Sequence, residues 1–130
     1  MAIKEVTLNF TNEFKGELIA PNTTVKIGSE VGTLEPYDML LGALGSCIYD
    51  TFIEIAVKKR IKYDGVKMQK KKKKRGEIPT TLKNVNIEVI ITNAEKEKGL
   101  EQAFKISTEY CSIYTTISKV AEMNYNITFA

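Results

Sequence analysis

The stretch that most constrains this chain is "EPYDMLLGALGSCIYDTFIEIAVKKR", Glu35 to Arg60. Leu40, Leu44, Cys47, Thr51 and Ile55 recur at helical spacing, with Leu41, Ile48, Phe52 and Ala56 beside them, so the first half is apolar nearly all round. A helix of this kind is expected at the centre of a fold, covered on several sides. Pro36 suits a first helical position, where its missing N–H costs nothing, and Asp38 stands near the positive end of the helix dipole. Cations in "KKRIKYDG", with Gly65 just beyond, place the end near Lys62. Gly42 and Gly45 each cost about 1 kcal/mol relative to alanine inside a helix. Close approach of another backbone or of a substrate is therefore expected there.

Around this helix, "IKEVTLNF", "KGELIAP" and "TTVKIGS" read as three short strands of an antiparallel set. "VKMQKKKKKR" and "LKNVNIEVIIT" read as two more, joined through "GEIPTT". Two helices follow in "EKEKGLEQAFKISTEY" and in "SIYTTISKVAEM", the second opening at Cys111, and "NYNITFA" closes the chain as a strand. The order βββ-α-ββ-αα-β groups its strands, which predicts an α+β fold with antiparallel sheets around the long helix. Residues 1–130 suit a single domain. So few elements cannot cover so apolar a helix, and a dimer is expected on physical grounds alone.

The net charge of +3 is local in origin, because Lys70 to Arg75 carry six positive charges. Such a run can bind nucleic acid or an anionic surface, but no aromatic residue interleaves with these lysines to stack bases. A solvated strand end projecting past the core is the expectation, with nucleic acid an unlikely partner. The apolar run Met39 to Ile48 is about half the length a bilayer requires, so no membrane span is expected. The first residues resemble neither a signal nor a transit peptide, and the expected location is the cytoplasm, where thiols stay reduced.

The chemical inventory is short. The absence of histidine excludes the Ser/His/Asp and Cys/His arrangements of hydrolases and the usual mixed histidine metal sites. There is no CxxC, Walker loop or GxGxxG, and neither a metal nor a cofactor is expected. Two thiols remain, Cys47 and Cys111, 64 residues apart. Each could be an apolar filler. Together they are the minimum for peroxide chemistry, in which one thiolate is oxidised to a sulfenic acid and the other condenses with it. Cys111 opens a helix, and a helix N-terminus favours a thiolate; Cys47 would need a charge from another segment.

"PYDMLLGALGSC" resembles the proline-to-cysteine helix motif of the family of osmotically inducible protein C and organic hydroperoxide resistance proteins (OsmC/Ohr), and "AFKISTEYCSIYTTIS" resembles its second-cysteine segment. The cysteine separation and the element order agree with that family along nearly the whole chain. The resemblance implies an OsmC-like fold in an intertwined homodimer, with both cysteines in an interface pocket. It further implies that Cys47 is peroxidatic and Cys111 resolves it, that Tyr37, Asp38 and Leu44 are pocket candidates, and that organic hydroperoxides are reduced at the expense of a small dithiol or a lipoyl group.

This chain departs from the family pattern in two places. No arginine precedes Arg60, which leaves Lys15 in "NEFKGEL" as the candidate thiolate-stabilising cation, and Tyr37 stands where the hydroperoxide-resistance branch has glutamate. An ammonium cannot reproduce a planar bidentate contact. Asp50, one turn after Cys47, would oppose ionisation if it faced the thiol. The alternative to a peroxidase is a non-catalytic dimer that binds an apolar small molecule in its interface pocket, with both cysteines merely packed.

Overall fold

A computed structural model describes residues 5–130. The element order is β1 (Thr7–Phe10), β2 (Gly16–Ile19), β3 (Thr24–Ile27), α1 (Pro36–Lys58), β4 (Gly65–Lys74), β5 (Leu82–Thr92), α2 (Glu97–Tyr110), α3 (Ser112–Ser118) and β6 (Glu122–Phe129). This is the α+β order expected from the sequence. Ile3 and Lys4, which the sequence reading places in the first strand, lie outside the described residues. The chain divides after Gly42 into two compact units, and α1 runs through the division.

The N-terminal unit is an antiparallel meander, β1-β2-β3. Thr11 shapes the first turn, its hydroxyl accepting from the Glu13 N–H at 3.1 Å while its own N–H donates to the Lys15 carbonyl at 3.0 Å. Phe10 faces Gly16 across the ladder, and a Cβ on Gly16 would run into the Asn9 carbonyl and the Phe10 ring. Val6, Leu8, Phe10 and Phe14 are exposed.

At the start of α1 the Asp38 carboxylate accepts the Glu35 N–H at 2.9 Å, satisfying a donor just ahead of Pro36. The helix stops at Lys58, short of the expected Lys62. Arg60 adopts a left-handed φ of 57°, its N–H donates to the Val57 carbonyl, and the Ile61 N–H reaches back to Ala56, both at 3.0 Å. That pair of bonds closes the last turn as a Schellman motif, with arginine in the place glycine usually takes.

In the C-terminal unit the sheet order is β4-β5-β6. β4 and β5 are antiparallel, but β5 and β6 run parallel, which corrects the all-antiparallel expectation. Parallel neighbours need a crossover, and α2 and α3 supply it. β5 is the spine: Val85, Ile87, Val89 and Ile91 are buried at alternate positions. From α1, Leu44, Ile48, Phe52 and Ala56 are buried, and from α2, Leu100, Ala103 and Phe104. Phe52 meets Phe104 edge-on at 6.1 Å between ring centroids, and Phe104 in turn meets Tyr125 of β6 at 4.8 Å.

By length and composition α1 could cross a membrane, since an 18-residue window has mean hydropathy 1.5, whereas the apolar run alone is too short. Its stripe from Leu44 to Ala56 is nonetheless committed to the core of the C-terminal unit. Coverage is also one-sided, because Leu40, Ile53 and Val57 are exposed.

Candidate active site

The two cysteines meet within the C-terminal unit. Cys47 is half-buried on α1, and Cys111, 1% exposed, is the single residue between α2 and α3. Its extended backbone, φ −75° and ψ 113°, ends one helix and begins the next. The Cys111 N–H donates to the Ser107 carbonyl at 2.9 Å, closing α2. Its Sγ accepts the Tyr114 N–H at 3.3 Å, so the thiol serves as the N-cap of α3. The Cys111 side chain is also in hydrogen-bonding reach of Cys47. Both thiols are free.

Cys111 sits at a helix N-terminus, as the sequence suggests, yet that position does not activate it. Burial pushes its pKa up, the hydrogen bond with Cys47 pushes the same way, and the backbone amides of Tyr114 and Ile113 pull only partly back, leaving the value at about 11. Desolvation of a thiolate outweighs two amide dipoles. Cys111 therefore keeps its proton at neutral pH. Nearby polar groups are occupied locally: the Ser107 hydroxyl donates to the Ala103 carbonyl at 2.6 Å and the Thr108 hydroxyl to that of Lys105 at 2.7 Å.

The remaining sequence-derived candidates have the following places. Lys15, in the N-terminal unit, holds its Nζ 2.9 Å from Glu30 and 3.7 Å from Glu13, so its charge is already engaged. Asp38 caps α1, and Tyr37 is half-buried beside it. Leu44 is fully buried in the C-terminal core. Asp50 is exposed. Among the described residues no cluster of three or more histidine, cysteine or carboxylate side chains could hold a metal.

The sequence reading missed Lys70. It places this residue with the lysines projecting past the core, but Lys70 is half-buried, with its Cε and Nζ 2.7 and 2.5 Å from where a Cβ of Gly45 would stand. The substituent that Gly45 accommodates is thus a lysine from β4. Burial lowers the Lys70 pKa. The signal was available: Val66 and Met68 mark one face of β4, and a further step of two reaches Lys70.

A small α+β fold that sets a free thiol at a helix junction near a second one on a long helix suits redox chemistry, and comparison with known proteins gives the family. The profile of OsmC-like proteins matches residues 28–126, and the chain belongs to that family. A structure described as a hypothetical protein from Aquifex aeolicus VF5 is 28% identical, with a TM-score of 0.86, covering 100% of this chain and 99% of that one. An OsmC-like protein from Mycoplasma pneumoniae gives a TM-score of 0.86 at 16% identity, covering 99% and 98% of the two chains. The organic hydroperoxide resistance protein OhrB of Bacillus subtilis shares the fold at 12% identity, with a TM-score of 0.72 and 98% of each chain covered. No curated protein sequence matches the chain.

Proposed function

We propose that the protein is a thiol-dependent peroxidase that reduces organic hydroperoxides. The observation that carries this reading is the approach of Cys111 to hydrogen-bonding reach of Cys47. In the cycle, the Cys47 thiolate attacks the outer peroxide oxygen, the O–O bond breaks, and the alkoxide takes a proton and leaves as an alcohol. Cys47 is then a sulfenic acid. The Cys111 sulfur attacks it, an S–S bond forms, and the sulfenic oxygen departs as water with the thiol proton. A small dithiol or lipoyl group reduces the disulfide, is itself oxidised, and restores both thiols. No cofactor enters, and a reducing compartment such as the cytoplasm is the setting this cycle requires.

Cys47 is assigned the attack because it is partly open to solvent, whereas Cys111 is 1% exposed and burial holds its thiol protonated. The family's hydroperoxide resistance proteins share the fold and support the substrate class. The same reading includes a homodimer, supported by the uncovered apolar side chains of α1 and of the N-terminal sheet.

Treatment with one equivalent of cumene hydroperoxide is expected to form an intramolecular Cys47–Cys111 disulfide that a dithiol reverses. In Cys111→Ser, dimedone should trap the sulfenic acid at Cys47, and excess peroxide should overoxidise it. If both thiols stay free under peroxide at about pH 8, where an ordinary thiol begins to ionise, the peroxidase reading fails and an apolar-ligand binder takes its place.

A further inference from the structure

The thiol site makes no use of the basic run. β4 is the outer strand of its sheet, and its register divides the run between two faces. Lys70 and Lys72 stand opposite Ile87 and Val85, whereas Lys71 and Lys73 stand opposite Asn86 and Asn84 on the other face. Lys71, Lys73 and Lys67 on that outer face are exposed and make no ion pair with a described residue. Arg75 fixes the strand's end, its Nη2 donating to the Val120 carbonyl at 3.0 Å. Beyond it the turn 76–80 is exposed, and Ile78, beside Pro79, is 95% exposed.

Lys71 and Lys73 are about 6.7 Å apart along the strand, so their ammonium groups can meet separate phosphates of one polyanionic backbone. The outer face offers no aromatic ring for unpaired bases: Tyr125 and Phe129 of β6 stand opposite Ile87 and Ile91, on the core side. Glu122 lies on β6, and Glu88 on β5 accepts from Asn126 at 3.3 Å, so negative charge confines a polyanion to the β4 border. Glu77 turns phosphates away from the tip, leaving the exposed Ile78 for an apolar contact of the kind that architectural proteins press into a groove.

We infer that this border is a docking surface for duplex nucleic acid, with Lys71 and Lys73 on phosphates and Ile78 against the groove. Binding reads backbone and shape, without base sequence.

The test is fluorescence anisotropy with a short labelled DNA duplex between roughly 50 and 200 mM salt. Wild type should bind with strong salt dependence. In Lys71→Gln/Lys73→Gln the log–log salt slope should fall by about 1.8, making the loss of affinity across that range about tenfold smaller. Ile78→Ser should weaken binding at every salt concentration with the slope unchanged. Both variants should melt as wild type does, since surface changes of this kind stay within about 0.5 kcal/mol. Absence of binding at the lowest salt overturns the inference, as does tighter binding of single strands or inorganic polyphosphate. An unchanged slope in the lysine variant, or an unaffected Ile78→Ser, overturns it equally.

Discussion

The Cys111 sulfur accepts the Tyr114 N–H at 3.3 Å, so a thiol neighbouring Cys47 serves as the cap of α3. The price of that arrangement is a thiol that ionises reluctantly, near pH 11. Once Cys47 is oxidised, closure of the disulfide should be slow at neutral pH and accelerate about tenfold per pH unit until Cys111 ionises. Stopped-flow measurement of disulfide formation after a peroxide pulse reads this directly. A rate already flat by pH 8 would mean that Cys111 is activated by something other than its resting surroundings.

The same shift makes a stability prediction with a definite sign. The folded state holds the Cys111 proton up to about 11 while the unfolded chain releases it near 9.0, so between these values the native state binds more protons. Stability therefore falls as pH rises through that window, and the contribution is fully present below it. The loss should be on the order of 2 kcal/mol. Tyr63, also raised by burial, acts in the same direction, and Lys70, lowered by burial, acts in the opposite one. Urea melts of wild type and Cys111→Ala under reductant isolate the cysteine: their difference should narrow from pH 9 to 11.

Gly45 and Lys70 should be energetically coupled. Alanine at position 45 gains about 1 kcal/mol of helix propensity, but its Cβ would land 2.5 Å from the Lys70 Nζ. Because the obstacle is the far end of a flexible chain, Gly45→Ala in wild type should be close to neutral. Combined with Lys70→Ala, which empties the notch, the same substitution should recover about the full 1 kcal/mol. Equal effects in the two backgrounds would show that the ammonium is not held at the glycine.

Much of this arrangement is legible in the sequence because it is local. The β5 alternation, the Pro36 start of α1 and the cysteine at the head of α3 depend on neighbours a few residues away, and pattern alone finds them. Most of what escapes is set by partners distant in the chain. The end of α1 escapes for another reason: its bonds are local, but Arg60 takes a conformation favoured for glycine, which no residue pattern signals. The parallel pairing of β6 depends on where α2 and α3 carry the chain. Lys70 reads by charge as part of a solvated run, although it shares its face of β4 with Val66 and Met68. The thiol pair itself is visible through family resemblance, since spacing alone leaves two cysteines as fillers.

The apolar surface that one chain leaves uncovered bears on assembly. The N-terminal sheet exposes Leu8 and Phe10 at 49% and 50%, and among the described residues of its unit only Ile27 and Gly28 are buried. A three-stranded sheet with so little core is not stable by itself. On α1, Val57 is 68% exposed and Ile53 39%. Surfaces of this kind should be covered by a second copy, which predicts a dimer by light scattering at low micromolar concentration. Ile53→Lys/Val57→Glu should shift the population toward monomer and lower the melting temperature in a concentration-dependent way, because the partner contributes to stability by mass action. A wild-type monomer whose melting temperature is independent of concentration would remove the homodimer from the proposed function while leaving the thiol cycle standing.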